Sequence, residues 1–288
     1  MLYNYTKLFF LMCKKDFFKL TKNQINRLEI KMILAIDIGN TEIVIGGIDE
    51  NKTHFVERIS TDKNKTDLEY AFFIKTILEI HNIKEKSISG GIISSVVPPL
   101  SNVLKTAVEK IIKPAILVGP GIKTGLNILT DNPGQLGSDL VVNAVAVIKH
   151  YSTPAIIIDM GTATTISAID ANNNYLGTVI IPGVKVALES LSMRASQLPA
   201  ISLEAPKQVI GRNTIESMRS GIIFGSAATL DGMIDYLKAE LNSPNAVITA
   251  TGGLSRYIIP HCKHSIIYDN DLLLKGLYEI YKKNLPVS

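Results

Sequence analysis

The sequence predicts an α/β protein made of two similar halves, and three observations indicate this fold class. An apolar strand that ends in Asp-x-Gly and precedes a second apolar strand occurs twice, at Asp37 and at Asp159. The 288 residues are enough for two domains of ordinary size, each with its own core. A hydrophobic content of 46%, an aromatic content of 6% and the absence of Trp suit an α/β protein rich in Ile and Val.

The first copy, residues 32–48, consists of two β-branched runs with a tight turn between them. Gly39 permits a backbone shape that brings amide groups close to a ligand, and Asn40 and Thr41 add short hydrogen-bonding side chains. An ionised Asp37 at the end of a buried strand is costly unless it has a partner such as a metal ion. Taken alone, this stretch is equally typical of a phosphate-binding turn and of an ordinary hairpin with a surface Asp.

The second copy, residues 154–169, repeats the order of apolar strand, Asp-x-Gly, hydroxyl side chains and apolar strand. Thr162, Thr164 and Thr165 stand here where the first copy has Asn40 and Thr41. Two such hairpins in matching strand contexts indicate an internal duplication. They favour the phosphate-binding interpretation, in which each half contributes one turn to a shared cleft.

The remaining elements follow the same plan in both halves. The first half continues with a strand at 54–60, a helix at 67–80, a strand at 88–97, a helix at 100–112 and a strand at 115–118. Three strands, helix, strand, helix and strand make up the unit of the ribonuclease H-like fold. The second half predicts helices at 144–150, 184–193, 217–241 and 271–281 and strands at 175–181 and 247–251. We therefore predict two ribonuclease H-like, actin-like domains in tandem, at 32–125 and 126–288, with a nucleotide cleft between them and the last helix packed back on the first domain.

Further motifs lie outside the two hairpins. Asp139 would lie near the first turn of a helix, where the helix dipole stabilises a carboxylate and free amides can meet an anion. An acidic residue is also common at the start of any helix, so its presence there does not by itself indicate a site. Arg212, before the long helix, suits an anion or a nearby carboxylate. Small residues on that helix, such as Gly221 and Gly225, would let another helix approach. The pair Gly252 and Gly253 ends a buried strand with a tight turn.

Composition narrows the classes of function. The net charge is +4 and the Lys residues are scattered, so nucleic acid binding is not predicted. Cys13 and Cys262 are too few for a disulfide framework or a zinc site, and they fit a reducing cytoplasm. No apolar run has the length of a transmembrane helix. Residues 1–31 lack the features of a secretory signal, and we expect them to be an extension outside the core fold, with Met32 as the natural start.

Five short motifs occur in a specific order along the chain. They are Asp37-Ile-Gly-Asn-Thr41, Gly137-Ser-Asp139, Asp159-Met-Gly-Thr-Ala-Thr164, Pro182-Gly183 and Gly211-Arg-Asn-Thr214. The ordered set resembles the type III pantothenate kinases, within the superfamily of acetate kinase, sugar kinases, heat-shock chaperones and actin. The resemblance extends from Met32 to near the C-terminus. It implies ATP-dependent phosphorylation of pantothenate to 4′-phosphopantothenate, the first step of coenzyme A biosynthesis, by a cytoplasmic homodimer.

The resemblance also implies roles for individual residues. Asp139 would be the base that accepts the proton of the pantothenate hydroxyl. Asp159 would hold a monovalent cation, K⁺ or NH₄⁺, beside an ATP that carries Mg²⁺. The residues implied to contact ATP are Asp37, Ile38, Gly39, Asn40, Thr41, Glu42, Ile43, Val44 and Thr162. The residues implied to contact pantothenate are Gly137, Ser138, Asp139, Leu140 and Thr214.

Two positions depart from the pattern of that family. Leu140 stands where the family usually has Arg, and Thr130 stands where it often has Tyr. Both changes fall on the acceptor side, so the resemblance predicts ATP binding more firmly than it predicts pantothenate as acceptor. Two alternatives therefore stay open: a kinase for another small alcohol, and a non-catalytic relative similar to proteins once described as accessory factors for transcription.

Overall fold

The computed structural model describes residues 32–285. The predicted extension at 1–31 lies outside the described residues, as does the expectation that Met32 is the natural start. The strands are β1 (Met32–Ile38), β2 (Glu42–Ile48), β3 (Thr53–Ser60), β4 (Ile88–Ser95), β5 (Ala115–Leu117), β6 (Asn127–Ile128), β7 (Ala155–Met160), β8 (Ala163–Ile169), β9 (Asn174–Pro182), β10 (Val247–Thr251) and β11 (Ile267–Tyr268). The α-helices are α1 (Asp67–Ile80), α2 (Pro98–Glu109), α3 (Ser138–His150), α4 (Val184–Arg194), α5 (Thr214–Glu240), α6 (Ser255–Ile258) and α7 (Leu272–Asn284).

The strand order is the same in both halves. The first sheet runs β3-β2-β1-β4-β5, and the second runs β9-β8-β7-β10-β11 with β6 added beyond β9. In each sheet the first three strands pair antiparallel, and the central strand pairs in parallel with the strand that follows the helical crossover. The duplication that the repeated hairpins predict is therefore confirmed at the level of topology. The protein consists of two ribonuclease H-like units of the actin-like kind, while the proposed boundary at residue 125 stays a prediction.

The central strands β1 and β7 are apolar along almost their whole length because helices cover both faces of each sheet. Every residue of β1 except Asp37 is buried, and every residue of β7 except Asp159 is buried. Such continuous burial is typical of a strand that is covered on both sides. Each unit thus presents one carboxylate near the end of its most buried strand, where the next residues turn out of the sheet.

Helices α3 and α7 pack between the two sheets. Residues 140–147 of α3 are all buried, and the helix contributes to an apolar core against the first sheet and to another against the second. A helix that is buried all round is held from several sides. Gly276 of α7 lies so close to the backbone of Val142 that an added Cβ would collide with it. The start of α3, which carries Asp139, is therefore fixed relative to both units.

Some element boundaries and faces differ from the sequence predictions. Helix α3 begins at Ser138 rather than at Ala144, and α2 begins at Pro98 because Pro is well tolerated in a first helical turn. Leu68 and Phe72 of α1 are exposed, although the apolar residues of an amphipathic helix are expected to face the core. The buried face of α1 includes Tyr70, whose hydroxyl donates a 2.7 Å hydrogen bond to the Asp62 carbonyl and so sets the rotation of the helix.

Within residues 32–285 no helix combines the length and the apolar character that crossing a membrane requires.

Candidate active site

The two Asp-x-Gly turns meet each other across the units. Oγ1 of Thr41 and Oγ1 of Thr162 lie 2.9 Å apart, although the residues are 121 positions apart in the chain. Both side chains are exposed, and each stands in the turn that follows a carboxylate-bearing strand. The sequence predicted that one turn from each half would reach a shared cleft, and the contact between Thr41 and Thr162 places the two turns together.

The first turn is held by hydrogen bonds from its own backbone and from the end of β3. The N–H of Gly39 donates to the carbonyl of Glu42 at 3.0 Å. Thr61 donates twice, from its hydroxyl to the carbonyl of Gly39 at 2.7 Å and from its N–H to the carbonyl of Thr41 at 3.0 Å. Thr61 follows the third strand and belongs to none of the five motifs, so no sequence signal identified it. Its two hydrogen bonds stabilise the turn.

The second turn is one residue shorter and is packed against two glycines. The N–H of Gly161 donates to the carbonyl of Ala163 at 3.1 Å, whereas the first turn closes between Gly39 and Glu42. An added Cβ on Gly183 would collide with the carbonyl oxygens of Gly161 and Thr162. Gly252 adopts a φ of +89° and would place a Cβ 2.6 Å from the carbonyl oxygen of Met160. Only glycine fits these two positions without displacing the turn.

Three carboxylates lie near one another at this junction: Asp37, Asp139 and Asp159. Burial, followed by the charges of Asp139 and Asp159, raises the pKa of Asp37 to about 7. Burial and the charge of Asp139 raise the pKa of Asp159 to about 6. Mutual repulsion of this kind makes a site that favours a cation or a proton. The structure therefore brings together the predicted nucleotide, base and cation carboxylates.

Asp139 is the second residue of α3, at the end of the helix where free N–H groups point outward. Burial raises its pKa, and the backbone N–H groups of Leu140 and of Asp139 itself counteract this rise by hydrogen bonding to the carboxylate. The N–H of Leu140 lies 2.9 Å from Oδ1 of Asp139. An added Cβ on Gly137 would collide with the same oxygen, so Gly137 leaves the space that the carboxylate occupies.

The other residues predicted to contact ATP or pantothenate differ in how much of their side chains is exposed. The side chains of Ile38 and Ile43 are fully buried, and Leu140 is 9% exposed, so these three residues present mainly backbone to a ligand. The hydroxyl of Ser138 is engaged by Ser94 and Ser95 of β4 rather than facing an open pocket. Asn40 and Glu42 are exposed at the turn, and Val44 is partly exposed.

Thr214 lines a cleft whose lining includes none of the three carboxylates. It is the first residue of α5 and lines an open cleft of about 740 Å³ together with Leu191, Arg212 and Ser217. Asn213 caps the helix, since its side chain accepts a 2.9 Å hydrogen bond from the N–H of Glu216. The cleft thus contains the Gly-Arg-Asn-Thr motif and is a second candidate region for a small molecule.

Two further polar residues, which belong to none of the motifs, interact with the carboxylates. Asn143 is 1% exposed, and its Nδ2 donates a 2.8 Å hydrogen bond to Oδ2 of Asp159. Arg58 of β3 lies opposite Val44 in the sheet, and its charge lowers the pKa of both Asp37 and Asp159. Helical periodicity puts Asn143 on the same face of α3 as Asp139, and Arg58 pairs with Val44 of the first hairpin. Neither residue belongs to a motif.

The donor set fits a metal ion that is shared with phosphate oxygens. Within residues 32–285, no cluster of three or more His, Cys, Asp and Glu side chains is arranged to hold a metal ion by itself. Oδ1 of Asp37 is nevertheless buried without a hydrogen-bond partner. Mg²⁺ is commonly bound by one or two carboxylates together with phosphates and water, and Asp37 can supply such a ligand.

Two solved structures share this fold with the chain. The activator of 2-hydroxyisocaproyl-CoA dehydratase from Clostridium difficile matches with a TM-score of 0.52 and 14% identity, over 89% of this chain and 99% of the other. Component A of (R)-2-hydroxyglutaryl-CoA dehydratase from Acidaminococcus fermentans matches with a TM-score of 0.52 and 13% identity, over 87% of this chain and 97% of the other. At these identities the likeness concerns the fold alone, and it agrees with two actin-like units.

The sequence comparisons are more specific. The model of the type III pantothenate kinase family matches residues 33–236. The type III pantothenate kinase of Halalkalibacterium halodurans is 44% identical over 255 residues, which are 88% of this chain and 100% of that protein. The type III pantothenate kinase of Bacillus cytotoxicus is 43% identical over 255 residues, which are 88% of this chain and 97% of that protein. The chain therefore belongs to the type III pantothenate kinase family.

Proposed function

We propose that this protein transfers the γ-phosphoryl group of ATP to the hydroxyl of pantothenate and so forms 4′-phosphopantothenate for coenzyme A biosynthesis. Membership of the family supports the reaction. The structural observation that carries the proposal is the contact of Thr41 with Thr162, because it joins a turn from each unit beside three carboxylates. Such an arrangement suits a triphosphate and an alcohol that meet in one cleft.

The first turn is proposed to bind the phosphates of ATP. Its exposed residues Asn40 and Thr41 offer backbone N–H groups, and the hydroxyls of Thr41 and Thr162, which contact each other, leave one hydroxyl proton for a ligand. Arg58 adds a positive charge on the same side, and its guanidinium lies 3.6 Å from the carboxylate of Glu42. Phosphoryl transfer depends mainly on positioning and on offsetting negative charge, which these groups provide.

Asp139 is proposed as the base that accepts the proton of the attacking hydroxyl. An alcohol is a weak nucleophile, so a carboxylate within hydrogen-bond distance increases its reactivity as the phosphoryl group leaves ATP. The raised pKa of Asp139 makes this carboxylate a stronger base than an exposed Asp. Its place at the start of a fully packed helix holds it in one orientation.

Two cations are implied by the family and by the charges of the site. Mg²⁺, when bound to the nucleotide, offsets the negative charge of the phosphates, and Asp37 is the proposed protein ligand. Asp159 is the proposed contact for a monovalent cation, K⁺ or NH₄⁺. The unpartnered Oδ1 of Asp37 and the raised pKa values of both carboxylates support this assignment.

The acceptor is proposed to bind beside Asp139, with Gly137 and Leu140 contributing backbone. The contact that the family resemblance implies for Thr214 would come from the separate cleft that holds the Gly-Arg-Asn-Thr motif. Leu140 is buried, so the chain supplies no cationic side chain at the position where the family usually has Arg. Oγ1 of Thr130, where a Tyr often stands, is buried without a partner and is free to hydrogen-bond a ligand that reaches it. These two positions are where the acceptor preference would change.

A homodimer in the cytoplasm is proposed as the working form. Gly221, Gly225 and Ala228 lie on an exposed face of α5, and nothing lies within 4 Å of a Cβ added at either Gly. Val209 and Ile210, just before α5, are 64% and 80% exposed. A small-residue helix face beside exposed apolar side chains suits contact with a second copy. Sedimentation equilibrium would test this, since a mass of about 31.4 kDa would indicate a monomer.

A coupled assay of ADP release tests the function. The protein is incubated with ATP, Mg²⁺ and pantothenate, with K⁺ or NH₄⁺ or with neither, and the phosphorylated product is identified by mass spectrometry. We expect turnover that requires pantothenate and that the monovalent cation increases. Turnover only with another small alcohol would assign a different acceptor, and ATP binding without turnover on any acceptor would assign a non-catalytic role.

A further inference from the structure

A short chain of hydrogen bonds crosses from the first unit to the start of α3. Oγ of Ser138 lies 2.9 Å from Oγ of Ser94, and the two residues are 44 positions apart. The Ser138 hydroxyl also accepts a 2.9 Å hydrogen bond from the N–H of Ser95 and donates a 2.9 Å hydrogen bond to the Ser95 carbonyl. A single hydroxyl of α3 is therefore bound to side-chain and backbone atoms at the end of β4.

Ser94 connects this contact to the first carboxylate. It is fully buried and is the register partner of Asp37 in the parallel pair of β1 and β4. Its hydroxyl stabilises the ionised form of Asp37 by hydrogen bonding. Ser138 donates its one proton to the Ser95 carbonyl, so Ser94 donates its own proton either to Ser138 or to Asp37. Asp37, Ser94 and Ser138 are thus successive neighbours in a series that ends one residue before Asp139.

We infer that Ser94 and Ser138 are positioning residues, which hold the Asp139 carboxylate at a fixed position relative to the phosphate-binding turn. We infer also that Ser138 does not contact the acceptor. This inference rests on the proposed function. The hydroxyl of Ser138 has its hydrogen-bonding capacity filled by β4, so little remains for a substrate. Ser138 precedes Asp139 directly, so a shift of its backbone displaces the carboxylate as well.

Enzyme variants distinguish positioning from substrate contact. Ser138→Ala and Ser94→Ala each remove one hydroxyl, and Ser138→Thr retains it. We expect both Ala variants to lower kcat by roughly tenfold to a hundredfold, since small misplacement of a reacting group has effects of this size. The KM values for ATP and acceptor should stay within about twofold, and Ser138→Thr should recover most of kcat. Thermal unfolding is recorded for each variant, and assays are run well below the lowest Tm.

Ser101→Ala is the matched control. The hydroxyl of Ser101 donates a 2.8 Å hydrogen bond to Oγ of Ser95, so it belongs to the same region but not to the series that links Asp37 with Ser138. We expect its kcat to equal that of the unaltered protein. Should Ser138→Ala not fold, Ser94→Ala provides the same comparison from the other side of the contact.

A double variant tests whether Ser138 acts through Asp139. In the background of Asp139→Asn, the additional Ser138→Ala change should leave the residual kcat unchanged within about twofold, because the group that it positions is already lost. A further tenfold loss would show that Ser138 acts independently and would overturn the inference, as would a KM increase for the acceptor at unchanged kcat. If the unaltered protein itself shows no turnover, the proposed function fails instead.

Discussion

Nδ2 of Asn143 donates a 2.8 Å hydrogen bond to Oδ2 of Asp159, and Asn143 follows Asp139 by four residues on α3. Residues four apart lie on the same face of a helix. One helix face therefore carries the proposed base and also orients the carboxylate proposed to contact the monovalent cation. The amide oxygen Oδ1 of Asn143 is buried without a hydrogen-bond partner.

Replacing Asn143 by Leu should impair the response to monovalent cation. Leu has a similar size but no donor, so Asp159 loses its neutral hydrogen-bond partner. We expect the concentration of K⁺ or NH₄⁺ that gives half-maximal activation to increase about tenfold, while the KM for the acceptor changes little. Initial rates over a series of cation concentrations measure this. An unchanged activation curve would show that Asp159 does not need Asn143.

Replacing Asp139 by Asn should nearly abolish phosphoryl transfer. The amide cannot accept the proton of the hydroxyl, and loss of a general base typically reduces kcat by about 10²–10⁴-fold. Nucleotide binding should persist, because Thr41 and Thr162 lie on separate turns. Calorimetric titration with ATP beside the steady-state assay checks both statements. Full activity in Asp139→Asn would remove this residue from the mechanism.

Replacing Thr41 and Thr162 by Val tests the contact between the units. Val retains the shape of Thr and removes the hydroxyl, so each single change should raise the Kd for ATP several-fold. The two changes should be non-additive by about 0.5–1.5 kcal/mol, which is the usual net contribution of one hydrogen bond. A double-mutant cycle of ATP binding measures the coupling. Strict additivity would mean that the hydroxyls act separately.

The stability of the ligand-free protein should depend on pH through Asp37. Its pKa is raised from 3.8 to about 7, so the folded protein retains a proton that the unfolded chain releases. The contribution of Asp37 to stability is therefore present at low pH and is lost as pH rises from about 4 to about 7. Asp37→Asn cannot ionise, and we expect it to be more stable than the unaltered protein at pH 8 by about 1–3 kcal/mol.

Urea unfolding at pH 5 and pH 8 measures this difference. The gain from Asp37→Asn should shrink at pH 5, where the carboxyl of the unaltered protein is largely protonated. Asp131→Asn, which alters an exposed carboxylate, is the control and should show no comparable change between the two pH values. A gain that is equal at both pH values would contradict the assignment to ionisation of Asp37.

Replacing Gly276 by Ala should destabilise the packing of α7 on α3. The added methyl would collide with the backbone of Val142, and overpacking of this kind costs about 1–3 kcal/mol or more. Gly134→Ala is the matched control, because a Cβ there has no atom within 4 Å. Urea unfolding of both variants measures the difference. Equal stability would mean that α7 can move away from α3 without cost.

Much of the fold could be predicted because it is encoded locally. The two hairpins, the crossover strands and the bounds of α1 follow from β-branched runs, helical periodicity and the capping residues Thr66 and Glu69. The exposed positions of Leu68 and Phe72 could not be predicted in this way. They depend on which face of α1 the tertiary contacts of Tyr70 turn towards the sheet.

The site was only partly predictable for the same reason. Asp37, Asp139 and Asp159 belong to short motifs, and the sequence alone identified all three as candidates. Asn143 and Ser94 act through partners that are 16 and 44 residues away, at Asp159 and Ser138. Pairings at such separations are set by how the two sheets and α3 pack together, and no local pattern records them.

The place of α7 between the two sheets affects the order in which the molecule can be completed during synthesis. Leu274, Leu277 and Ile280 cover one face of the first sheet, yet they follow all the strands of the second sheet in the chain. A nascent chain that has already formed β1 to β5 therefore keeps an apolar surface uncovered until α7 has been synthesised. The first unit can reach its final form only after α7 has left the exit tunnel.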